Sequence, residues 1–319
     1  MSAGGNGTDL GPTDVLVTGG LGFVGRAVVD ALLARGARVH VLDAAPPEGS
    51  PPAPMTTGRV EDPAAVEAAL AHRPGAVVHL AAATSVLGSV ERPGETFASN
   101  VAGTHVVLEA CRRAGIGQFV LASSNAVTGA ASAVPVRTDL APEPLTPYGA
   151  TKAAAEMLVR GHAHAYGLRG SVLRFSNVYG PGMDAKDSIV PRLLRAAARG
   201  GGIRVHGSGT QVRDLLHVRD VAAAVCAALA RRHDGVVAIG SGRSVSVLEL
   251  VDLVRTVTGA ALPVEHVAPP PGEMDAVVVD PAPAERDLGF RAAVALEDGL
   301  RETADDLIGT IREGATAGP

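Results

Sequence analysis

The stretch VTGGLGFVG at residues 17–25 decides the fold of this chain. A short apolar run, DVLVT, leads into it, and the residues from Phe23 onwards have the pattern of a helix that Gly36 closes. Glycines stand between them at positions 19, 22 and 25. The first permits a tight turn, the second lets the backbone approach a diphosphate, and the third allows close packing of helix on strand. The spacing therefore predicts a strand–turn–helix unit whose helix N-terminus binds an anion.

Short apolar strands alternate with helices as far as about Ser176. Strands are predicted at 38–42, 76–80, 118–122 and 171–175, and helices at 63–72, 96–114 and 148–167. This alternation is typical of right-handed crossovers and a parallel sheet. We therefore predict an α/β protein with a Rossmann-type doubly wound parallel sheet. Its parts are a flexible N-terminus at 1–12, a dinucleotide-binding domain at 13–175 and a smaller α/β substrate lobe at 176–319, with some later segments packing back on the first domain.

Composition excludes several classes of partner. The chain has 319 residues, 46% of them hydrophobic, and a net charge of -5, so no global attraction draws it to nucleic acid or to an anionic membrane. No apolar run approaches the ~20 residues that span a bilayer, and the N-terminus does not have the pattern of a signal peptide. Cys111 and Cys226 lie in Ala-rich helical segments and are expected to be small core residues rather than a disulfide or a metal pair. We expect a soluble, cytoplasmic protein that binds no metal.

Asp43 identifies the kind of dinucleotide. It ends the second predicted strand, where a carboxylate can accept both hydrogens of an adenine-ribose diol and would repel a 2′-phosphate. The position favours NAD over NADP. The alternative is that Asp43 only caps a turn.

At this point the chain resembles the extended short-chain dehydrogenases/reductases, and among them the NAD-dependent sugar-nucleotide epimerase/dehydratase family. The resemblance runs from about Asp14 to Asp306 and includes the glycine motif, His79-Leu80-Ala81-Ala82 and Asn100-Val101-Ala102-Gly103-Thr104. It implies that the cofactor is NAD. The cofactor-binding residues it implies are Gly19, Gly22, Phe23, Val24, Gly25, Asp43, Arg59, Val60, Leu80, Ala81, Ala82, Asn100, Tyr148, Lys152 and Phe175.

One departure affects the adenine end. The family usually follows its third strand with Gly-Asp, whereas this chain has Gly58-Arg59-Val60-Glu61-Asp62. An adenine contact would then come from the Val60 backbone or from Arg59 over the ring. Asp62 is expected to cap the next helix.

Tyr148 and Lys152 stand four residues apart at the start of a predicted helix, so their side chains share one helix face. We expect the Lys152 ammonium to lower the phenol pKa of Tyr148 and to hold nicotinamide-ribose hydroxyls. Tyr148 can then exchange a proton with a sugar hydroxyl as hydride leaves the same carbon.

The segment Ser123–Gly129 resembles the family's Ser-Ser-x-x-Val-Tyr-Gly motif, and the resemblance makes Ser124 the catalytic hydroxyl that hydrogen-bonds the reacting oxygen. Family dehydratases have Asp-Glu at the next two positions, and decarboxylases have Glu at the second. This chain has Asn125 and Ala126, so dehydration and decarboxylation are disfavoured. Thr128 replaces an aromatic residue of the sugar pocket.

The remaining substrate contacts are also implied by resemblance. Arg213 matches the family's phosphate-binding arginine, whose planar fork suits a diphosphate, and Asn177 matches its diphosphate-binding asparagine. Tyr179 is expected to be a packing residue, and His217 to be hydrogen-bonded within the junction of the lobes, with a metal or proton-relay role as the alternative. Pro270 stands where the family often has a second arginine. The full predicted substrate set is Ser124, Asn125, Tyr148, Asn177, Val205, His206 and Arg213.

These residues favour an NAD-dependent nucleoside-diphosphate-sugar 4-epimerase, with a UDP-sugar as the preferred substrate. The same Tyr, Lys and Ser would serve a 4-ketoreductase or a dehydrogenase that uses cofactor stoichiometrically, and a non-catalytic NAD-binding protein is the remote alternative. The family commonly forms four-helix dimer interfaces, which here would use the helices at 96–114 and 148–167. A homodimer is therefore expected.

Overall fold

The computed structural model describes residues 13–47, 49–129, 135–268 and 276–316. Within them the strands are β1 (Asp14–Thr18), β2 (Arg38–Asp43), β3 (Met55–Thr57), β4 (Ala76–His79), β5 (Gln118–Ser124), β6 (Arg169–Phe175), β7 (Asn177–Tyr179), β8 (Ile203–His206), β9 (Val212–His217), β10 (Gly235–Ile239), β11 (Ser244–Ser246) and β12 (Val264–Val267). One parallel sheet has the order β10-β6-β5-β4-β1-β2-β3. The strand order reverses between β1 and β4, and ligands of such sheets bind at that point, beyond the carboxyl ends of the strands. The predicted fold class is confirmed.

Helices cover both faces of this sheet. They are α1 (Phe23–Leu33), α2 (Pro63–Leu70), α3 (Val86–Glu91), α4 (Pro93–Phe97), α5 (Gly103–Ala114), α6 (Pro147–Tyr166), α7 (Ile189–Ala198), α8 (Val218–Ala230), α9 (Val247–Thr258), α10 (Ala282–Leu288) and α11 (Leu296–Thr316). One apolar core lies between the sheet and α1, α8 and α10, and a second lies between the sheet and α2, α5 and α6. Cys226 belongs to the first core and Cys111 to the second, and both are free thiols, as predicted.

The predicted helix over 96–114 differs from the structure in its course. The helical segment begins earlier, at Pro93, and a π-helical turn at Ala98–Ala102 separates α4 from α5. A π turn inserts one residue into the ladder of hydrogen bonds and is frequent at functional sites. Here the turn contains Asn100, whose side chain contacts are described below.

Residues after Ser176 build two kinds of structure. A three-stranded sheet in the order β11-β9-β7, a two-stranded sheet of β12 and β8, and a third apolar core among α7, α9 and α11 form the smaller lobe. The segment 235–239 instead returns to the large sheet as β10, paired with β6. No helix among the described residues is long and apolar enough to cross a membrane.

Candidate active site

The turn between β1 and α1 leaves no room for side chains. Gly19 has φ +73°, and a Cβ there would lie 2.7 Å from the backbone nitrogen of Ala81. A Cβ on Gly25 would lie 2.0 Å from the carbonyl oxygen of Gly19, so α1 packs directly on the turn. The N-terminus of α1 has neither a side-chain cap nor an acidic residue in its first turn, which is made by Phe23 and Val24. Its free N–H groups therefore suit an anion such as a diphosphate.

Asp43 is the last residue of β2, and its half-buried carboxylate is tied to the glycine turn. Leu21 donates its backbone N–H to Oδ2 over 2.9 Å, and Ala45 donates to Oδ1 over 3.0 Å. The carboxylate therefore accepts hydrogen bonds from two backbone N–H groups and is held beside the glycine turn. The uncapped helix, the glycines and this carboxylate together fit a dinucleotide with an unsubstituted ribose diol.

Asp43→Asn tests whether the Asp43 carboxylate binds the ribose diol. The amide keeps an oxygen for the Leu21 N–H but removes the negative charge. Because a hydrogen bond to a charged group contributes about 1.5–3 kcal/mol, NAD affinity should fall roughly 10- to 100-fold, and the preference for NAD over NADP should narrow. Calorimetric titration with both dinucleotides measures this, with Asp62→Asn as the control. An unchanged NAD-to-NADP ratio would leave Asp43 with only its turn role.

The adenine end has the predicted helix cap. Asp62 accepts a hydrogen bond from the backbone N–H of Ala64 over 3.0 Å, so the expectation that it caps α2 is confirmed. Arg59 is exposed and lies 2.8 Å from the Glu61 carboxylate. Val60 is buried against the position of Gly103, where a Cβ would lie 2.7 Å from it.

The strands β1, β4, β5 and β6 end at one edge of the sheet. Leu80, Ala81 and Ala82 follow β4 there and are half-buried, with Leu80 donating its N–H to the Thr18 carbonyl. Phe175 ends β6, opposite Ser124 at the end of β5. Leu80–Ala82, Ser124 and Phe175 therefore lie at the edge of the sheet where ligands bind in folds of this kind.

A buried histidine crosslinks this edge. Thr104 donates its hydroxyl to the Asn100 carbonyl over 2.6 Å and so accepts from Nε2–H of His79, 3.0 Å away. Nδ1 of His79 then accepts from the Thr18 hydroxyl at 2.8 Å, and Thr18 accepts from the N–H of Ala81. Burial, with Lys152 as a smaller contributor, lowers the pKa of His79 to about 3. His79 is thus a neutral structural residue.

Asn100 ties the loop after β4 to α6. Its Nδ2 donates to the carbonyl oxygen of Ala83 and to Oγ1 of Thr151, both over 3.0 Å, and its Oδ1 accepts from the N–H of Ala83 over 2.7 Å. Thr151 in turn donates to the carbonyl of Tyr148. The π turn thus allows one amide to position the first turn of α6.

Tyr148 and Lys152 lie in the first turns of α6 and are both buried. Nζ of Lys152 donates to the Ala122 carbonyl of β5 over 2.9 Å, and burial lowers its pKa to about 8. Gly149 lets this helix approach the 3₁₀ turn that follows β5, because a Cβ there would lie 2.5 Å from the Ala126 carbonyl oxygen. Both side chains are consequently held in one rigid place.

The pKa shift of the Tyr148 phenol is opposite in direction to the one expected from the sequence. Burial raises the pKa of the Tyr148 phenol, and interaction with the Ser124 side chain only partly offsets this. The Lys152 ammonium is directed at the Ala122 carbonyl instead. Desolvation therefore dominates the electrostatics of the phenol in this structure.

Ser124 is the last residue of β5, which extends two residues beyond the predicted end of the strand at 122. Its Oγ accepts from the N–H of Ala126 over 3.1 Å and caps the short 3₁₀ turn at Asn125–Val127. Thr128 is buried and donates to the Asn125 carbonyl over 2.7 Å. The turn that follows Ser124 thus presents an amide and a methyl group where an acid pair would be needed to expel water.

A buried ion pair near this centre was not predicted from the sequence. Nη2 of Arg174 lies 2.7 Å from Oε2 of Glu156, and Ser123 donates its hydroxyl to the same carboxylate. Glu156 also raises the pKa of Lys152, against the larger effect of burial. The spacing of the residues could have indicated Glu156, because it follows Lys152 by four residues, as Lys152 follows Tyr148, and so lies on the same helix face.

The predicted substrate residues of the second lobe lie on its strands. Asn177 begins β7 and donates its side-chain amide to the carbonyl of Asp214 over 3.1 Å. Arg213, half-buried on β9, donates to the Val212 carbonyl over 2.9 Å. Val205 and His206 end β8, the first buried and the second exposed. Pro270 lies outside the described residues.

His217 and Tyr179 are buried and pack against each other. Their rings meet edge to face with centroids 5.2 Å apart, and His217 caps α8 by accepting from the N–H of Arg219. Burial lowers the pKa of His217 to about 4. Within the described part of the chain, no group of three or more His, Cys, Asp or Glu side chains is arranged to hold a metal ion.

Known proteins with related sequences and structures agree with this geometry. Residues 15–240 match the NAD dependent epimerase/dehydratase family. The UDP-glucose 4-epimerase of Streptomyces lividans is 34% identical over 88% of this chain and 92% of that protein. The dTDP-glucose 4,6-dehydratase of Streptomyces griseus is 33% identical over 91% of this chain and 93% of that protein. The crystal structure of Thermus thermophilus UDP-glucose 4-epimerase in complex with NAD superimposes with a TM-score of 0.83, at 34% identity over 93% of this chain and 99% of that one.

Proposed function

This chain belongs to the NAD-dependent epimerase/dehydratase family, and we propose that within it the protein is a UDP-sugar 4-epimerase. Overall identity does not separate epimerase from dehydratase, because relatives of both kinds are 33–34% identical to the chain. The residues that follow Ser124 do separate them. Asn125 and Ala126 offer no acid to protonate a leaving hydroxyl, whereas Tyr148, Lys152 and Ser124 supply all that proton transfer at O4 requires. That contrast carries the proposal.

In the proposed reaction Tyr148 takes the proton from the sugar O4 as the C4–H bond breaks. Ser124, which interacts with Tyr148, hydrogen-bonds the same oxygen, and Lys152 supplies positive charge from the same helix face. NAD, when bound, would supply a reversible acceptor for the C4 hydride. After the 4-keto sugar has turned over, Tyr148 returns the proton to O4, so the net change is inversion at one carbon.

The nucleotide is proposed to lie across the smaller lobe. Arg213 and Asn177 would face its diphosphate, and Val205 and His206 its base, as the family's pattern implies. A guanidinium suits a diphosphate because its parallel N–H groups can bind two oxygens at once. The reaction uses NAD and UDP-sugars, so the proposal also places the protein in the cytoplasm.

A panel of nucleotide sugars tests this function. The purified protein, without added cofactor, should convert UDP-glucose to UDP-galactose until an equilibrium mixture is reached, as read from the anomeric proton signals by NMR. UDP-N-acetylglucosamine and UDP-glucuronate identify the preferred sugar. A requirement for added NADH with a 4-keto sugar would move the function to a ketoreductase. No turnover of any sugar by NAD-loaded protein would support a non-catalytic role.

We also propose a homodimer formed through α6 and the helical segment that begins at Pro93. Phe97 on α4 and Met157 on α6 are 56% and 54% exposed, although both are large apolar side chains and the two helices pack together. Leu87 and Val90 of α3, which also packs on α6, are exposed as well. Exposed apolar side chains on helices that pack on one another are typical of a surface that another protein covers, and a second copy presents the same surface.

Two negative charges introduced at Phe97 and Met157 should dissociate the dimer. Because two carboxylates would be buried without partners, the double substitution Phe97→Glu and Met157→Glu is expected to convert the dimer to monomer. Sedimentation velocity measures the change. Leu33→Glu, which alters an exposed apolar residue of α1, is the control and should remain dimeric. A double variant that keeps the mass of the dimer would place the interface elsewhere.

A further inference from the structure

Lysine is rare in this protein. The chain has 26 arginines but only two lysines, Lys152 and Lys186. Lys152 belongs to the catalytic motif, whereas no motif accounts for Lys186, which lies between β7 and α7 in the smaller lobe. Lys186 is therefore a flexible point charge in a chain whose other basic residues, apart from Lys152, are arginines.

Lys186 joins the two lobes. Its Nζ lies 3.0 Å from Oγ1 of Thr84, which follows β4 on the dinucleotide-binding side. The ammonium is half-buried, and burial lowers its pKa. No carboxylate in the described part of the chain pairs with it, and the adjacent Asp187 is held by Arg192 and Arg195. A partly desolvated cation whose partner is a neutral hydroxyl is suited to receive an anion.

Lys186 and the glycine turn before α1 line one cavity. It has a volume of about 1010 Å³, and its wall includes Gly22 and Phe23 at the start of α1 as well as Lys186. Glu302 also lines the cavity but is paired with Arg219 over 2.7 Å. Two exposed acidic residues, Asp184 on the loop of Lys186 and Asp30 of α1, also line the cavity. The uncapped helix N-terminus and the lysine therefore border one space.

We propose that Lys186 is a diphosphate-binding residue, which reaches from the smaller lobe to the dinucleotide diphosphate at the N-terminus of α1. Thr84 would hold the ammonium in place from the opposite lobe. The contact would clamp the cofactor between the lobes and slow its release between turnovers. The inference rests on the NAD dependence of the family and not on which sugar is epimerised.

The test measures retention of NAD by the holoenzyme. Exchange of bound NAD with isotopically labelled NAD, followed by mass spectrometry, should be roughly 10- to 100-fold faster in Lys186→Met, the usual effect of losing a charge-assisted hydrogen bond. Lys186→Arg should restore slow exchange. Added salt should accelerate exchange in the unsubstituted protein more than in Lys186→Met, because only the former has the ion pair.

Two further measurements separate the outcomes. UDP affinity should be the same in Lys186→Met and the unsubstituted protein, so weaker UDP binding with unchanged NAD exchange would overturn the proposal and assign Lys186 to the substrate diphosphate. Unchanged NAD exchange with unchanged UDP affinity would overturn it as well.

If Lys186→Met does not fold, acetylation of the unsubstituted protein tests the proposal instead. NAD should protect Lys186 from acetic anhydride, and equal acetylation of Lys186 with and without NAD would contradict the proposal. If the proposal for Lys186 is overturned, the proposed epimerase function is unaffected, because the panel of nucleotide sugars tests that function separately.

Discussion

Tyr148→Phe is expected to lower turnover of the nucleotide sugar by at least ~100-fold, the usual scale of general acid–base catalysis. The substitution keeps the buried ring and its packing but removes the hydroxyl that exchanges a proton with O4. Initial rates with saturating UDP-sugar measure the loss. NAD should stay bound, since the glycine turn, Asp43 and Lys152 are unaltered.

Tyr166→Phe is the matched control for this substitution. Tyr166 ends the same helix, but its ring is 58% exposed and lies at the opposite end of α6 from the reaction centre. Its loss of a hydroxyl should leave turnover nearly unchanged. Near-normal turnover in Tyr148→Phe, with NAD bound, would assign the proton transfer to another group.

Glu156→Gln is expected to destabilise the protein by about 3–5 kcal/mol, because it leaves the Arg174 guanidinium buried without a countercharge. Both side chains are almost fully buried, at 0% and 3% exposure. The pKa of Lys152 should fall further, since Glu156 opposes the effect of burial. Urea unfolding monitored by circular dichroism measures the first effect.

An exposed ion pair on α9 serves as the control for the buried pair of Glu156 and Arg174. Asp252 and Arg255 on α9 lie 2.8 Å apart, but the carboxylate is 70% exposed, so water screens the interaction. Asp252→Asn should leave the unfolding midpoint nearly unchanged. The double variant Glu156→Leu with Arg174→Met should recover much of the lost stability, since apolar pairs of similar volume often replace a buried ion pair well. Equal stability of Glu156→Gln and the unsubstituted protein would show that the pair is not a stabilising element.

The parallel sheet and the placement of the cofactor edge were predictable because both depend on local patterns. The apolar runs at 14–18 and 38–42 and the glycines between them specify strand, turn and helix without reference to distant residues. Tyr148 and Lys152 were found for the same reason, since a spacing of four is a property of one helix.

Features that depend on burial or on distant contacts were not predictable. The sign of the pKa shift of Tyr148 follows from desolvation, which no local pattern reports. The π turn at Ala98–Ala102 is one inserted residue in a ladder of hydrogen bonds, and the ion pair of Glu156 with Arg174 joins a helix to a strand 18 residues later. The contact of Lys186 with Thr84 spans 102 residues and depends on how the lobes meet.

Hydride return within one active site is the central claim, and isotope retention tests it most directly. UDP-glucose carrying deuterium at C4 is incubated with the protein as purified, without added cofactor, and the UDP-galactose formed is analysed by mass spectrometry and NMR. The account predicts product that keeps its deuterium at C4, with no accumulation of NADH and no loss of water. Loss of the label from C4, a stoichiometric need for NADH, or a 4-keto-6-deoxy product would contradict it.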